Sequence, residues 1–255
     1  MSRQEVFGLS AACVRHGPCD ALRRIDLTVG QAERVAVIGP SGAGKSSLIR
    51  LLNATNAPTD GQVRVLGRDV SQVPSRDLRR LQRSIGTIHQ QFDLVDQLRV
   101  VNNVNAGRLG SWPLWKALLS LLLPRGAAEV RAALDRVGIL DKFHARTGDL
   151  SGGEQQRVAI ARVLVQQPAA VLADEPVASL DPARGKEIIN LLHDISVESG
   201  TTLLASLHDV DMALDRFERV VGLRAGQIAF DKPARRVTTG DVAELYAFDL
   251  AIRQS

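Results

Sequence analysis

Aromatic residues, cysteines and long apolar runs are all scarce in this sequence, and each shortage excludes something. Phe, Trp and Tyr make up 4% of the 255 residues, so a core has to be assembled from Leu, Val, Ile and Ala. There are two cysteines, Cys13 and Cys19, in no C-x-x-C arrangement and with no histidine at metal spacing. They read as ordinary reduced thiols rather than a disulfide or a metal site. The longest apolar run, Ala117 to Leu123, is seven residues, broken by Ser120 and bounded by Lys116 and Pro124. A membrane-spanning helix needs about 20 such residues. The start, Met1-Ser2-Arg3-Gln4-Glu5, carries no apolar signal region, so the expectation is a chain made and kept in the cytosol. Lysine is scarce too: 5 of the 32 basic residues are Lys and 27 are Arg.

What is present bounds the class. With 45% hydrophobic and 24% charged residues, the chain is neither disordered nor a collagenous repeat, and its length suits one or two domains. A net charge of +4 admits nucleic acid, an anionic membrane surface or a phosphate-bearing ligand, and does not choose among them.

Strand and helix signals alternate, which predicts an α/β protein. Val6–Leu9, Ile25–Val29 and Gln62–Leu66 alternate apolar with polar; Val35–Ile38, Ala170–Ala173 and Thr202–Ala205 are continuous apolar runs, the pattern of strands buried on both faces. Val220–Leu223 and Ile228–Phe230 flank a hairpin turn. Helical spacing runs through Val130, Ala133, Leu134 and Val137. It recurs in Ile188, Leu191, Leu192 and Ile195, behind Asp181 as N-cap, Pro182 at the first position and Gly200 as the stop. Gly152 to Val165 becomes apolar nearly all round, a sign of burial. Residues 90–159 carry no strong strand and read as a helical subdomain. It interrupts a core of about 1–89 and 160–230, and a helical tail follows from Asp231.

The strongest chemical signal is Gly39-Pro40-Ser41-Gly42-Ala43-Gly44-Lys45-Ser46, followed by Ser47. It fits G-x-x-x-x-G-K-[ST] between a buried strand and a helix. Glycines let backbone N–H groups wrap phosphate oxygens, and the helix adds the positive end of its dipole. Lys45 can reach the β- and γ-phosphates, and the Ser46 hydroxyl can ligate Mg²⁺. This pattern predicts nucleoside triphosphate binding. A second buried strand ends in Asp174-Glu175. Asp174 is suited to hold Mg²⁺ through water and Glu175 to polarise an attacking water as general base.

Leu150-Ser151-Gly152-Gly153-Glu154-Gln155-Gln156-Arg157 resembles the signature of the ATP-binding cassette ATPases of membrane transporters. Ser151, Gly152 and Gly153 open a helix and make a second anion-ready terminus. The resemblance implies a P-loop NTPase (RecA-like) core with an N-terminal antiparallel β subdomain and a helical subdomain. It implies ATP and Mg²⁺, and a head-to-tail dimer in which the signature of one copy caps the γ-phosphate held by the other. By the same resemblance, Gln90 matches the glutamine that senses Mg²⁺ and the attacking water, and Ala178-Ser179-Leu180-Asp181 the loop that lies across the dimer contact. His208 matches the histidine that steadies the γ-phosphate. The family stacks adenine on an aromatic residue about 29 positions before the phosphate-loop lysine; here that position is His16. Two readings stand for it, a weaker stacking partner or a plain loop residue.

Asn105–Gly110, Leu172–Pro182 and Ser206–Asp211 resemble the ATPases of bacterial phosphonate importers, whose close relatives import phosphite and similar phosphorus oxyanions. The implied partners are a second copy, membrane permease subunits and, indirectly, a periplasmic or lipid-anchored substrate-binding protein, with no nucleic acid. The implied place is the cytoplasmic face of the bacterial inner membrane. The insert around Trp112 and Trp115 reads either as a leucine-rich helix packed within the subdomain or as a contact for the permease. Arg76, Arg79, Arg80 and Arg83, with Leu78 and Leu81, predict an amphipathic helix with a solvated basic face. Other transporter substrates, a soluble cassette acting on nucleic acid or ribosomes, and a switch that binds ATP without turnover are the competing readings.

Overall fold

The computed structural model describes residues 4–111, 126–178 and 180–252. Trp112, Trp115, the rest of the apolar run to Leu123, and Ser179 lie outside the described residues.

Among the described residues, ten strands form two sheets. An antiparallel sheet of order β2-β1-β4-β5 joins β1 (Glu5–His16), β2 (Cys19–Gly30), β4 (Asp60–Val65) and β5 (Arg68–Asp69). A six-stranded sheet, β10-β9-β3-β8-β7-β6, joins β3 (Arg34–Ile38), β6 (Ile85–Ile88), β7 (Ala170–Asp174), β8 (Thr202–Leu207), β9 (Arg219–Arg224) and β10 (Gln227–Pro233). Its pairs are parallel except β9–β10, the expected hairpin.

The larger sheet is covered on both faces, which explains the unbroken apolar runs. Along β3, Val35 and Val37 join one core with the N-terminal sheet, whereas Ala36 and Ile38 join a second core on the opposite face. Leu204 and Leu172 follow the first pair; Leu203, Ala205, Val171 and Ala173 follow the second. Burying each such Val, Leu or Ile stabilises by about 1.5–3 kcal/mol.

Helix α1 (Lys45–Leu52) packs in the first core through Leu48, Leu51 and Leu52. Helix α2 (Ser75–Arg83) buries Leu81 and leaves Arg76, Arg79, Arg80 and Arg83 exposed, the solvated basic face expected. Helices α3 (Val100–Asn105), α4 (Ala127–Arg136) and α5 (Gly152–Gln166) supply the second core. The short helical stretch Ala106–Ser111 lies so close to α5 that a Cβ on Gly107 would sit 2.2 Å from the Arg162 carbonyl oxygen. In α6 (Pro182–Ser199), the side chain of Asp181 accepts from the Arg184 N–H at 3.1 Å, and Gly200 ends the helix at φ 63°. These are the start and stop read from the sequence.

Two elements differ from expectation. The helical tail does not begin at Asp231, because Asp231, Lys232 and Pro233 still pair with β9; α8 spans Thr239–Ile252. A short helix α7 (Val210–Arg216), capped by Asp209 accepting from the Met212 N–H, has too few apolar residues to show a period. Cys13 and Cys19 are free thiols, as expected.

Candidate active site

The carboxyl ends of β3, β7 and β8 lie side by side, the edge at which parallel α/β sheets bind ligands. From β3 the chain enters Gly39 at φ 154°, where a Cβ would meet the Leu223 carbonyl oxygen at 2.0 Å. Only glycine fits there. Gly44, at φ 105°, lies against the Ala21 carbonyl oxygen and opens α1. Gly42 is also left-handed, and Pro40, Ser41 and Ala43 complete the curve. Lys45 is buried, at 4% exposure, with its Nζ donating to the Gly39 carbonyl at 2.8 Å and the Pro40 carbonyl at 3.2 Å. Ser46 and Ser47 form the first turn of α1.

The two carboxylates at the end of β7 have different surroundings. Asp174 Oδ1 accepts from the Ser46 hydroxyl at 3.1 Å and from the Ser206 hydroxyl at 2.9 Å. Glu175 turns away at φ 48°. Its Oε1 lies 2.6 Å from Nε2 of His208 and 3.7 Å from Nζ of Lys45. A carboxylate held by an imidazole and an amine, one residue past a carboxylate held by two hydroxyls, is an arrangement in which the first can handle a proton and the second a cation. Gln90, Glu175, Asp181, Ser206 and His208 line one cleft.

The oxygen set at Ser46 and Asp174 fits Mg²⁺. That ion takes few protein ligands beside phosphate oxygens and water, and among the described residues no group of three or more His, Cys, Asp or Glu offers a complete cage.

The other expected residues fall elsewhere. Ser151 is the N-cap of α5, its Oγ accepting from the Glu154 N–H while the Glu154 carboxylate takes the Ser151 N–H at 2.8 Å. The Ser151 N–H, its hydroxyl and nearby Lys142 hold the Glu154 carboxyl below its ordinary range. Gly152 and Gly153 pack toward Leu180 and Arg184. Ser151 and Gly153 line a cleft with Arg157, Arg184 and Glu187. His16 ends β1, in register with Cys19 across the Gly17-Pro18 turn. That hairpin reaches the phosphate loop through Ala21 and Gly44.

Two residues of the site escape sequence reasoning. Ser206 is a fully buried hydroxyl in an apolar strand; a polar residue two places before His208 was its one visible signal. Arg162 is a charged residue on the apolar half of α5, and it donates to the carbonyls of Phe92 and Asp93, just past Gln90. Burial lowers its pKa, though a guanidinium stays charged in proteins.

Comparison with known proteins places this geometry. Residues 22–178 match the family model described as ABC transporter. The phosphonates import ATP-binding protein PhnC of Anaeromyxobacter dehalogenans is 52% identical over 231 residues, which are 91% of this chain and 46% of that relative. The chain thus spans less than half of that relative's length. The protein of the same name from Pseudomonas entomophila is 45% identical over 239 residues, covering 94% of this chain and 90% of the relative. Among solved structures, a dimeric bacterial ABC transporter cassette superposes with a TM-score of 0.78 at 27% identity, covering 91% of this chain and all of that one. A dimeric post-hydrolysis cassette bound to ADP and Pi superposes at 0.73 and 28%, with 91% of this chain covered and 100% of the other.

Proposed function

Since the chain belongs to the ABC transporter family, we propose that it is the ATP-hydrolysing, energy-coupling subunit of a bacterial importer of phosphonates or related phosphorus oxyanions such as phosphite. The observation that carries the enzymatic part is the contact of Glu175 with both His208 and Lys45 at the mouth of the phosphate loop. The substrate class rests on the names of the relatives.

Lys45, Ser46, Ser47 and the backbone from Gly39 to Gly44 bind and orient the triphosphate, as a glycine-rich turn before a helix does for anions. Ser46 and Asp174 would hold Mg²⁺, and Gln90, in the cleft with Glu175 and His208, would sense it; when bound, the ion would neutralise charge on the phosphate oxygens. Glu175 Oε takes a proton from the attacking water, and His208 steadies the γ-phosphate and the Glu175 carboxylate. The chemistry is mostly positioning and charge stabilisation. His16, at the tip of the β1–β2 hairpin, is either a stacking partner for the adenine or a plain loop residue.

Ser151 and Gly153 line a cleft with Arg157, Arg184 and Glu187, and a second copy would bring a signature onto each γ-phosphate, with Asp181 at the contact. Dimeric cassettes among the solved neighbours support this arrangement. No helix among the described residues is long and apolar enough to cross a membrane; the import systems for which the relatives are named support separate permease subunits as the spanning partners. The chain then sits on the cytoplasmic face beneath them, and a substrate-binding protein delivers the solute from outside.

Deleting the gene and testing growth on phosphonate, phosphite or phosphate as sole phosphorus source tests the substrate. Loss on phosphonate or phosphite with growth retained on phosphate is expected. Unimpaired growth on all three refutes it.

A further inference from the structure

We propose that Ser206 is a positioning residue for hydrolysis, its single hydroxyl setting the Asp174 carboxylate and the Glu175 backbone together. Asp174 and Ser206 are register partners at the ends of β7 and β8. Beyond them β7 stops, while β8 continues to Leu207. Glu175 turns into the left-handed region, which a residue with a side chain holds only where its surroundings fix it. The N–H at that turn, with the strand ladder ended, donates to Ser206 Oγ at 2.9 Å. The same Oγ donates to Asp174 Oδ1 at 2.9 Å.

A serine hydroxyl carries one proton and two lone pairs. With the proton committed to Asp174 and a lone pair to Glu175, its rotor has one setting. Ser206 is 0% exposed among Leu203, Leu204, Ala205 and Leu207 of the same buried strand. A hydroxyl in such a place is costly unless its bonds are made, and both of these go to the two acidic residues of the site. Ser46 and Ser206 converge on Oδ1 of Asp174. The carboxylate is therefore pinned through that oxygen by two hydroxyls. Ser206 thus coordinates where a cation is held with where water is activated.

The proposal rests on the roles given above to Asp174 and Glu175. Ser206→Ala and Ser206→Thr are made in the full chain. Steady-state hydrolysis, melting temperature and the Mg²⁺ dependence of binding of a non-hydrolysable ATP analogue are then measured. Ser206→Ala lowers kcat by about 10- to 100-fold, the size of a lost hydrogen bond to a charged group. It raises the Mg²⁺ concentration for half-maximal analogue binding by about 10-fold, as loss of a ligand's hydrogen-bond partner does. Analogue affinity without Mg²⁺ is unchanged, because the phosphate loop is untouched. Ser206→Thr, which keeps the hydroxyl, recovers both properties to within about threefold. Should the alanine variant melt too low to assay, Ser206→Cys, with a weak donor of similar size, takes its place with the same expectations. A folded variant lacking the hydroxyl, with wild-type kcat and wild-type Mg²⁺ dependence, overturns the proposal. So does equal loss in the threonine variant, which assigns the effect to packing. A wild-type chain without Mg²⁺-dependent hydrolysis instead overturns the reading beneath it, and the two failures are distinct.

Discussion

Arg162 Nη2 donates to the carbonyl oxygen of Phe92 at 2.7 Å, and Nη1 of the same guanidinium reaches the carbonyl of Asp93 at 2.7 Å. Phe92 and Asp93 both have positive φ, 56° and 48°. Helix α5 therefore holds a strained turn two residues beyond Gln90, and the two are joined through that guanidinium. Arg162→Ala leaves two carbonyls of that turn without a charged donor. We expect a destabilisation of about 2–3 kcal/mol and reduced ATP turnover, read by thermal melting and phosphate release. A variant with wild-type melting and turnover contradicts the coupling.

Glu175→Gln keeps the shape of the side chain but removes the base. ATP binding is expected to persist, turnover to fall by about 100-fold or more, and the chain to elute in ATP at the size of two copies. Hydrolysis at the wild-type rate would rule out Glu175 as the base.

His16→Tyr enlarges the ring at the tip of the β1–β2 hairpin. If that position faces adenine, stacking adds about 0.5–1 kcal/mol, and the nucleotide Kd falls by a factor of about two to five. An unchanged Kd makes His16 a loop residue.

Asp241 accepts from Lys232 Nζ at 2.7 Å and from both the N–H and the hydroxyl of Thr238. These bonds, the Lys232 one foremost, lower its pKa from 3.8 to about 2. A depressed carboxylate stabilises the fold fully above its unfolded pKa and loses that contribution as pH falls through the folded one. The start of α8 is therefore expected to loosen between about pH 4 and pH 2. Asp241→Asn should be less stable than wild type at pH 7, with the difference shrinking as pH falls from about 4 toward 2, measured by chemical denaturation at each pH. A stability difference as large at pH 2 as at pH 7 would count against this account.

Much of this was legible because the chemistry is local. The phosphate loop shows its glycines, strand and helix within a dozen residues, and Asp181, Pro182 and Gly200 mark both ends of α6 by capping chemistry alone. Asp174 and Glu175 were readable from a strand ending in carboxylates. What stayed hidden depends on partners distant in sequence. Ser206 has a role only because β8 lies in register beside β7, and Arg162 only because a turn 70 residues earlier offers its carbonyls. Lys232 and Pro233 looked like tail residues because pairing with β9, not a period of their own, keeps them in a strand.

The six-stranded sheet, with alternate residues of β3 facing separate cores, behaves as a bulkhead. Helix α1, carrying the phosphate loop, is seated in one compartment and α5, carrying the signature, in the other. Damage on one side is insulated from the other: losses from Leu48→Ala and Leu134→Ala should simply add, to within about 0.5 kcal/mol. Traffic between the compartments has to pass over the rim, where residues 89–93 and 175–178 run. A substitution there would disturb two halves that the interior keeps apart.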